Sequence, residues 1–115
     1  MIPLGRCRIS AGLKGAKGTK PGEQCVIIDV LRASSTIVTA LAHGVGEIRA
    51  VGSIDEALSL RREKYVVAGE RRCLPIPGFD LGNSPVELLC ALRKRAISKM
   101  VLTTSNLTRV LVACR

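Results

Sequence analysis

Aromatic side chains are nearly absent: the 115 residues hold Tyr65, Phe79 and no tryptophan. A core must therefore be aliphatic, and modules that stack nucleobases on aromatic rings are disfavoured. No apolar run approaches the length needed to span a bilayer, so a membrane is not an expected partner. Acidic residues are also scarce, 9 against 18 basic ones, giving a formal net charge of +9. Five dispersed cysteines (Cys7, Cys25, Cys73, Cys90, Cys114) include no C-x-x-C pair, which argues against a structural zinc. With no signal-peptide pattern at the start, a reducing cytoplasmic setting is expected. Cys25 and Cys90 lie in apolar runs and are expected to be buried as small hydrophobes. Walker A, Rossmann glycine and G-x-S-x-G signatures are missing as well.

What is present reads as one globular domain over residues 1–115, with 47% hydrophobic and 23% charged residues. Basic residues gather at Arg6–Lys20, Arg61–Arg72 and Arg93–Lys99. Such a field attracts nucleic acid, an anionic surface or an anionic substrate. A solvated basic face is the simpler reading, so nucleic acid is not the favoured partner.

Apolar runs and breakers set out the elements. Arg6–Ser10 reads as a short strand, and Ala11–Gly22 as a weak helix or a loop. Cys25–Val30 is an apolar, β-branched run that fits a strand buried on both faces. A helix follows over Ser34–His43, stopped by Gly44. Glu47–Val51 and Tyr65–Ala68 read as strands. Between them, Ser53 with Glu56 forms a capping box that opens a helix to about Arg62. The prolines and glycines of Cys73–Gly82 mark a loop. Asn83 or Ser84 then caps a helix that begins at Pro85 and ends near Ala96. Met100–Thr103 is the last strand, and a helix starts near Leu107. Strand–helix alternation without an internal repeat predicts an α/β fold on a largely parallel or mixed sheet. In such a sheet the turns Asp29–Thr36, Gly69–Arg71 and Thr103–Thr108 gather at one edge.

Those turns carry the chemistry. Asp29 interrupts the first apolar run, and a buried carboxylate needs a metal, a cation or solvent. It suits Mg²⁺ or a nucleophile, or else it caps a helix or pairs with Arg32. Arg32 can grip an oxyanion, and Ser34, Ser35 and Thr36 stand where a helix N-terminus would draw one. Glu70 is either a second hard ligand or the partner of Arg71 or Arg72. Gly78–Pro85 is explained in full by a loop and a helix cap. Thr103-Thr104-Ser105-Asn106 offers hydroxyls and N–H groups to an oxyanion, or caps the last helix. His43 reads as structural.

Taken together, Ile28-Asp29-Val30-Leu31-Arg32-Ala33-Ser34-Ser35-Thr36, Ala68-Gly69-Glu70-Arg71, Gly78-Phe79-Asp80-Leu81-Gly82-Asn83-Ser84-Pro85 and Leu102-Thr103-Thr104-Ser105-Asn106-Leu107-Thr108-Arg109 resemble the 2-phosphosulfolactate phosphatase family, over its N-terminal half. The resemblance implies a three-layer α/β/α fold, here truncated. It also implies Mg²⁺-dependent hydrolysis of 2-phospho-3-sulfolactate to 3-sulfolactate and phosphate, a step toward coenzyme M. Asp29 and Glu70 would hold Mg²⁺, or Asp29 would attack phosphorus. Arg32 with Ser34, Ser35 and Thr36 would neutralise the phosphate. Thr104 and Asn106 would hold further oxyanions, while Asp80 and Asn83 would orient that wall. Leu107 stands where the family usually has glycine. Two alternatives remain at this level: a non-catalytic remnant that binds anions or forms homo-oligomers through exposed sheet edges, and a basic nucleic-acid-binding domain.

Overall fold

The computed structural model describes residues 5–114. A short helix α1 (Gly12–Lys17) is followed by α2 (Ala33–Ala42), β1 (Glu47–Ala50) and α3 (Ile54–Ser59), which runs on into a 3-10 turn (Leu60–Glu63). Next come β2 (Val66–Arg71), β3 (Leu74–Pro75), α4 (Pro85–Lys94), β4 (Lys99–Thr103) and α5 (Leu107–Ala113). The sheet order is β1-β4-β2-β3. β1, β4 and β2 are parallel, and β3 folds back antiparallel on β2.

Side chains alternate across the strands and divide the core in two. Ala68, Met100 and Leu102 face a cluster with Ala40 of α2 and Leu88 of α4. Val67 and Val101 face the opposite cluster, with Ala57 of α3 and Leu60 and Tyr65 beyond it. Helices cover both faces, which is why the strands read as continuous apolar runs. The expected α/β layering on a mixed sheet is what forms.

Local signals place the helix ends. Ser53 Oγ accepts from Glu56 N at 3.2 Å, and Ser84 Oγ from Glu87 N at 3.3 Å, with Pro85 opening α4. Gly44 follows α2 at φ +91°. Helices α2 and α4 lead into β1 and β4, whereas α3 and α5 follow those strands. The N-terminal ends of all four therefore lie at the carboxyl edge of the parallel strands, where ligands bind in open α/β sheets.

Several expectations need correction. Arg6–Ser10 and Cys25–Val30 form no strand; both are irregular. Val26 and Leu31 are 86% and 88% exposed, and Ile28 and Val30 are also exposed. β-Propensity acts through neighbours, and among the described residues no strand pairs with this segment. Cys25 and Ile27 instead border an open apolar cleft of about 270 Å³ against Ile37 and Val38 of α2 and Leu107 and Leu111 of α5. Cys25 and Cys90 are exposed. Cys25 begins the irregular segment, and Cys90 points away from the α4 face that buries Leu88 and packs Ala91 and Leu92 inward. Strand β2 extends beyond Ala68 to Arg71, and the following loop contains the two-residue β3.

At Gly69 the backbone takes φ +152°, and an added Cβ would overlap the Thr103 carbonyl oxygen of β4. Gly69→Ala should thus destabilise the chain by roughly 2–4 kcal/mol, read as a lower urea midpoint. An unchanged midpoint would mean that β2 and β4 do not approach this closely.

Candidate functional site

Three turns meet at the carboxyl edge. The central one belongs to Glu70, only 7% exposed at the end of β2. Its Oε1 accepts from Ser105 N at 2.7 Å; its Oε2 accepts from Cys73 N at 2.7 Å and Ser105 Oγ at 3.1 Å. Burial alone would raise its pKa. The Ser105 and Cys73 N–H groups, the Ser105 hydroxyl and the nearby Arg71 charge outweigh that and hold it below the usual carboxylate range. The carboxylate ties the β2–β3 hairpin to the β4–α5 turn. That hairpin has a two-residue tip, Arg72 and Cys73, both at positive φ. A mirror-image turn of this kind favours Asn or Gly; with other residues each such conformation costs on the order of 1 kcal/mol. Cys73 N bonding to Glu70, and Arg72 N to Ser105 Oγ at 2.8 Å, offset that cost.

Arg71 reaches across the same edge. Its Nη1 donates to Glu70 O at 2.9 Å, and its Nη2 to Thr103 Oγ1 at 2.8 Å and Gly52 O at 3.3 Å. The guanidinium thereby bridges the ends of β1, β2 and β4. Sequence reasoning treated it only as an ion-pair partner for Glu70. The available signal was its place directly after an apolar strand, in Gly69-Glu70-Arg71.

The second turn precedes α2. Asp29 N donates to Ser34 Oγ at 2.8 Å and Ser34 N to Asp29 O at 2.9 Å; Ser35 Oγ donates to Val30 O at 2.6 Å, and Thr36 Oγ1 to Arg32 O at 3.2 Å. The three hydroxyls hold the backbone of residues 29–32 onto the helix. Among the described residues the Asp29 carboxylate and the Arg32 guanidinium have no hydrogen-bond or ion-pair partner. The local ion pair between them, the alternative reading of the sequence, is not among the ion pairs of the described residues. What is presented to solvent is a carboxylate, a guanidinium and the N-terminal end of a ten-residue helix.

The remaining candidates have other surroundings. Thr104 is buried: its N donates to Thr108 Oγ1 at 2.9 Å and its Oγ1 accepts from Thr108 N at 3.3 Å, closing the start of α5. Asn106 is exposed at the N-cap without a side-chain capping bond. Leu107 does not take a positive φ; it opens α5 with its side chain buried. Asp80 Oδ1 pairs with Arg61 at 2.8 Å and its Oδ2 accepts from Val67 N at 2.8 Å. Burial pushes its pKa up, but the Val67 N–H and Arg61 hold it below the ordinary value. One oxygen pins the loop to the first half of β2 and the other to the 3-10 turn after α3, away from the carboxyl edge. Asn83 is 6% exposed, and its Oδ1 has no hydrogen-bond partner.

Among the described residues no group of three or more His, Cys, Asp or Glu could hold a metal. Of the two expected ligands, Glu70 has both oxygens engaged by N–H and O–H donors, whereas Asp29 does not. Mg²⁺ needs few protein carboxylates, since water and substrate phosphate fill its shell. Asp29 fits that sparse role.

The architecture and its edge define a class: an α/β protein on a mixed sheet, with cationic side chains and helix N-termini at the carboxyl edge of its parallel strands. The chain belongs to the 2-phosphosulpholactate phosphatase family, whose sequence model matches residues 13–115. It is 50% identical over 92 residues to a probable 2-phosphosulfolactate phosphatase of Thermotoga petrophila, covering 78% of this chain and 39% of that protein. Proteins with the same description from Pseudothermotoga lettingae and Clostridium tetani are each 46% identical, over 87 and 89 residues, covering 76% and 75% of this chain and 37% of each relative. The chain thus spans about two fifths of the length of the curated relatives it matches. None of the described helices is long and apolar enough to cross a membrane.

Because the folded pKa of Glu70 is depressed, its contribution is complete above about pH 5 and is lost as pH falls through that lowered value. Glu70→Gln should cost about 1–3 kcal/mol at neutral pH and make the acid decline shallower. Asp80 would retain part of the slope. Denaturation curves from pH 7 to 3 check this; parallel curves for both proteins would refute the role of Glu70.

Proposed function

We propose that the chain carries one wall of a phosphomonoester hydrolase site for 2-phospho-3-sulfolactate, releasing 3-sulfolactate and phosphate as in coenzyme M formation. One observation carries this reading: a loop fixed by three hydroxyls leaves the Asp29 carboxylate and the Arg32 guanidinium, at the N-terminal end of α2, without a partner among the described residues. Family membership supports the choice of reaction. Arg32 and the first N–H groups of α2 neutralise phosphoryl oxygens. Such a reaction depends chiefly on positioning and on stabilising charge. Asp29 would hold Mg²⁺, and the ion would supply charge neutralisation during transfer. In-line attack by Asp29 itself is the other use of the same carboxylate. Asn106 is exposed at the start of α5 and would meet a further oxyanion, while Asn83, just before α4, would orient the wall of the pocket. Glu70 and Thr104 act by shaping the turns. The free thiols fit a reducing, cytoplasmic setting.

A second reading is favoured by the exposed apolar segment: an anion-binding chain that pairs with a second copy through Val26, Ile28, Val30 and Leu31. Phosphate release and sedimentation separate the two. For the hydrolase, wild type should release phosphate from 2-phospho-3-sulfolactate only with Mg²⁺, and Asp29→Asn should lower the rate by a factor of about 100 or more. Turnover unaltered in Asp29→Asn, or none in wild type, contradicts the reading. In the latter case, a dimer abolished by Val26→Ser and Ile28→Ser would favour the second.

A further inference from the structure

Arg71 is a cation on this edge that the fold orients through neutral acceptors; its charge acts on the nearby Glu70 carboxylate, but no ion pair among the described residues joins the two. Ion pairs among the described residues join Arg8 to Glu23, Arg49 to Glu47 and Arg61 to Asp80. Arg71 has neutral acceptors instead: two carbonyl oxygens and a threonine hydroxyl. The adjacent carboxylate of Glu70 lies one residue away, yet its oxygens are taken by the N–H and O–H groups of Cys73 and Ser105. Immobilising an arginine costs rotamer entropy. Neutral contacts that hold the guanidinium without a direct ion pair are the arrangement an incoming anion would require. Three guanidinium N–H bonds are used, so others remain for a ligand. The side chain is half-buried at the carboxyl edge rather than enclosed.

We infer that Arg71 is an oxyanion-binding residue of this chain, taking a phosphoryl or sulfonate group through the unused part of its guanidinium. The inference deepens the phosphatase reading and rests on it for the identity of the ligand. Gly52, Glu70 and Thr103 act as positioning groups: their oxygens fix the plane of the guanidinium, which sets the direction from which an anion is bound. Charge-assisted N–H···O⁻ bonds are roughly twice as strong as neutral ones. A lysine here would keep the charge and lose the fork. The site would serve specificity, because a substrate bearing two acid groups could engage Arg71 and the α2 turn together.

Inorganic phosphate and methanesulfonate, titrated separately into the full chain by calorimetry, test the inference. Arg71→Gln should weaken binding of at least one probe tenfold or more, and Arg71→Lys should fall between Gln and wild type. Thr103→Val, which keeps the charge and removes one orienting acceptor, should give a smaller loss. Loss confined to phosphate assigns Arg71 to the phosphoryl group; loss confined to methanesulfonate assigns it to the sulfonate. Wild-type affinities for both probes in Arg71→Gln, or no binding of either by wild type, overturn the inference. If Arg71→Gln does not fold, ¹H–¹⁵N spectra of wild type decide: a shift of Arg71 Nε–H on adding either probe supports it, and none overturns it. The two proposals fail separately. Binding lost in Arg32→Gln but intact in Arg71→Gln removes Arg71 and leaves the hydrolase standing. Arg71-dependent binding without phosphate release removes the hydrolase and leaves this site.

Discussion

The carboxylate of Glu70 is the interaction on which the carboxyl edge depends. It stands at the end of β2 and accepts hydrogen bonds from both neighbouring turns, Cys73 on one side and Ser105 on the other. A buried carboxylate is tolerated only when its oxygens are matched by donors, and here the donors are mostly backbone N–H groups. The match does two things. It stabilises a hairpin tip built from residues ill suited to positive φ, and it sets where α5 begins relative to β2. Close contact between Gly69 and Thr103 lets the two strands come near enough for this to happen.

A division of labour follows among the polar residues. Glu70, Asp80, Thr104 and the α2 hydroxyls have their hydrogen-bonding capacity used within the fold. Asp29, Arg32 and Arg71 have no ion-pair partner among the described residues. All three lie on turns that the topology brings to one edge, where the helix N-termini also point. Groups already satisfied internally define the shape of such an edge, and those left unmet define its chemistry.

Much of the scaffold was legible because its signals are local. The capping serines Ser53 and Ser84, Pro85 and the apolar runs of β2 and β4 each specify an element from a few neighbouring residues. Cys25–Val30 misled for the opposite reason. Its pattern states a preference for burial in a sheet, but only a partner strand turns that preference into structure, and none of the described strands lies beside it. The site was half visible. Carboxylates and hydroxyls after strands marked the correct edge, yet sequence does not say which of them the backbone will consume. Ser34, Ser35 and Thr36, expected at an anion, bond the backbone of the loop before α2. Glu70, expected at a metal or beside an arginine, accepts from donors in two turns. Arg71 entered only as one possible partner of Glu70, and among the described residues no ion pair joins it to a carboxylate.

Membership of the phosphatase family and a span of about two fifths of its curated relatives frame what this edge does alone. Its geometry requires the Glu70 tie in the chain by itself, with no ligand. Amide hydrogen exchange at Cys73 and Ser105 tests that most directly. Both amides should be protected in wild type, and Glu70→Gln should speed their exchange together, by about 10- to 100-fold, while Leu102 in the centre of the sheet changes less. Unchanged exchange at both amides, or acceleration at only one, would contradict a single carboxylate joining the two turns.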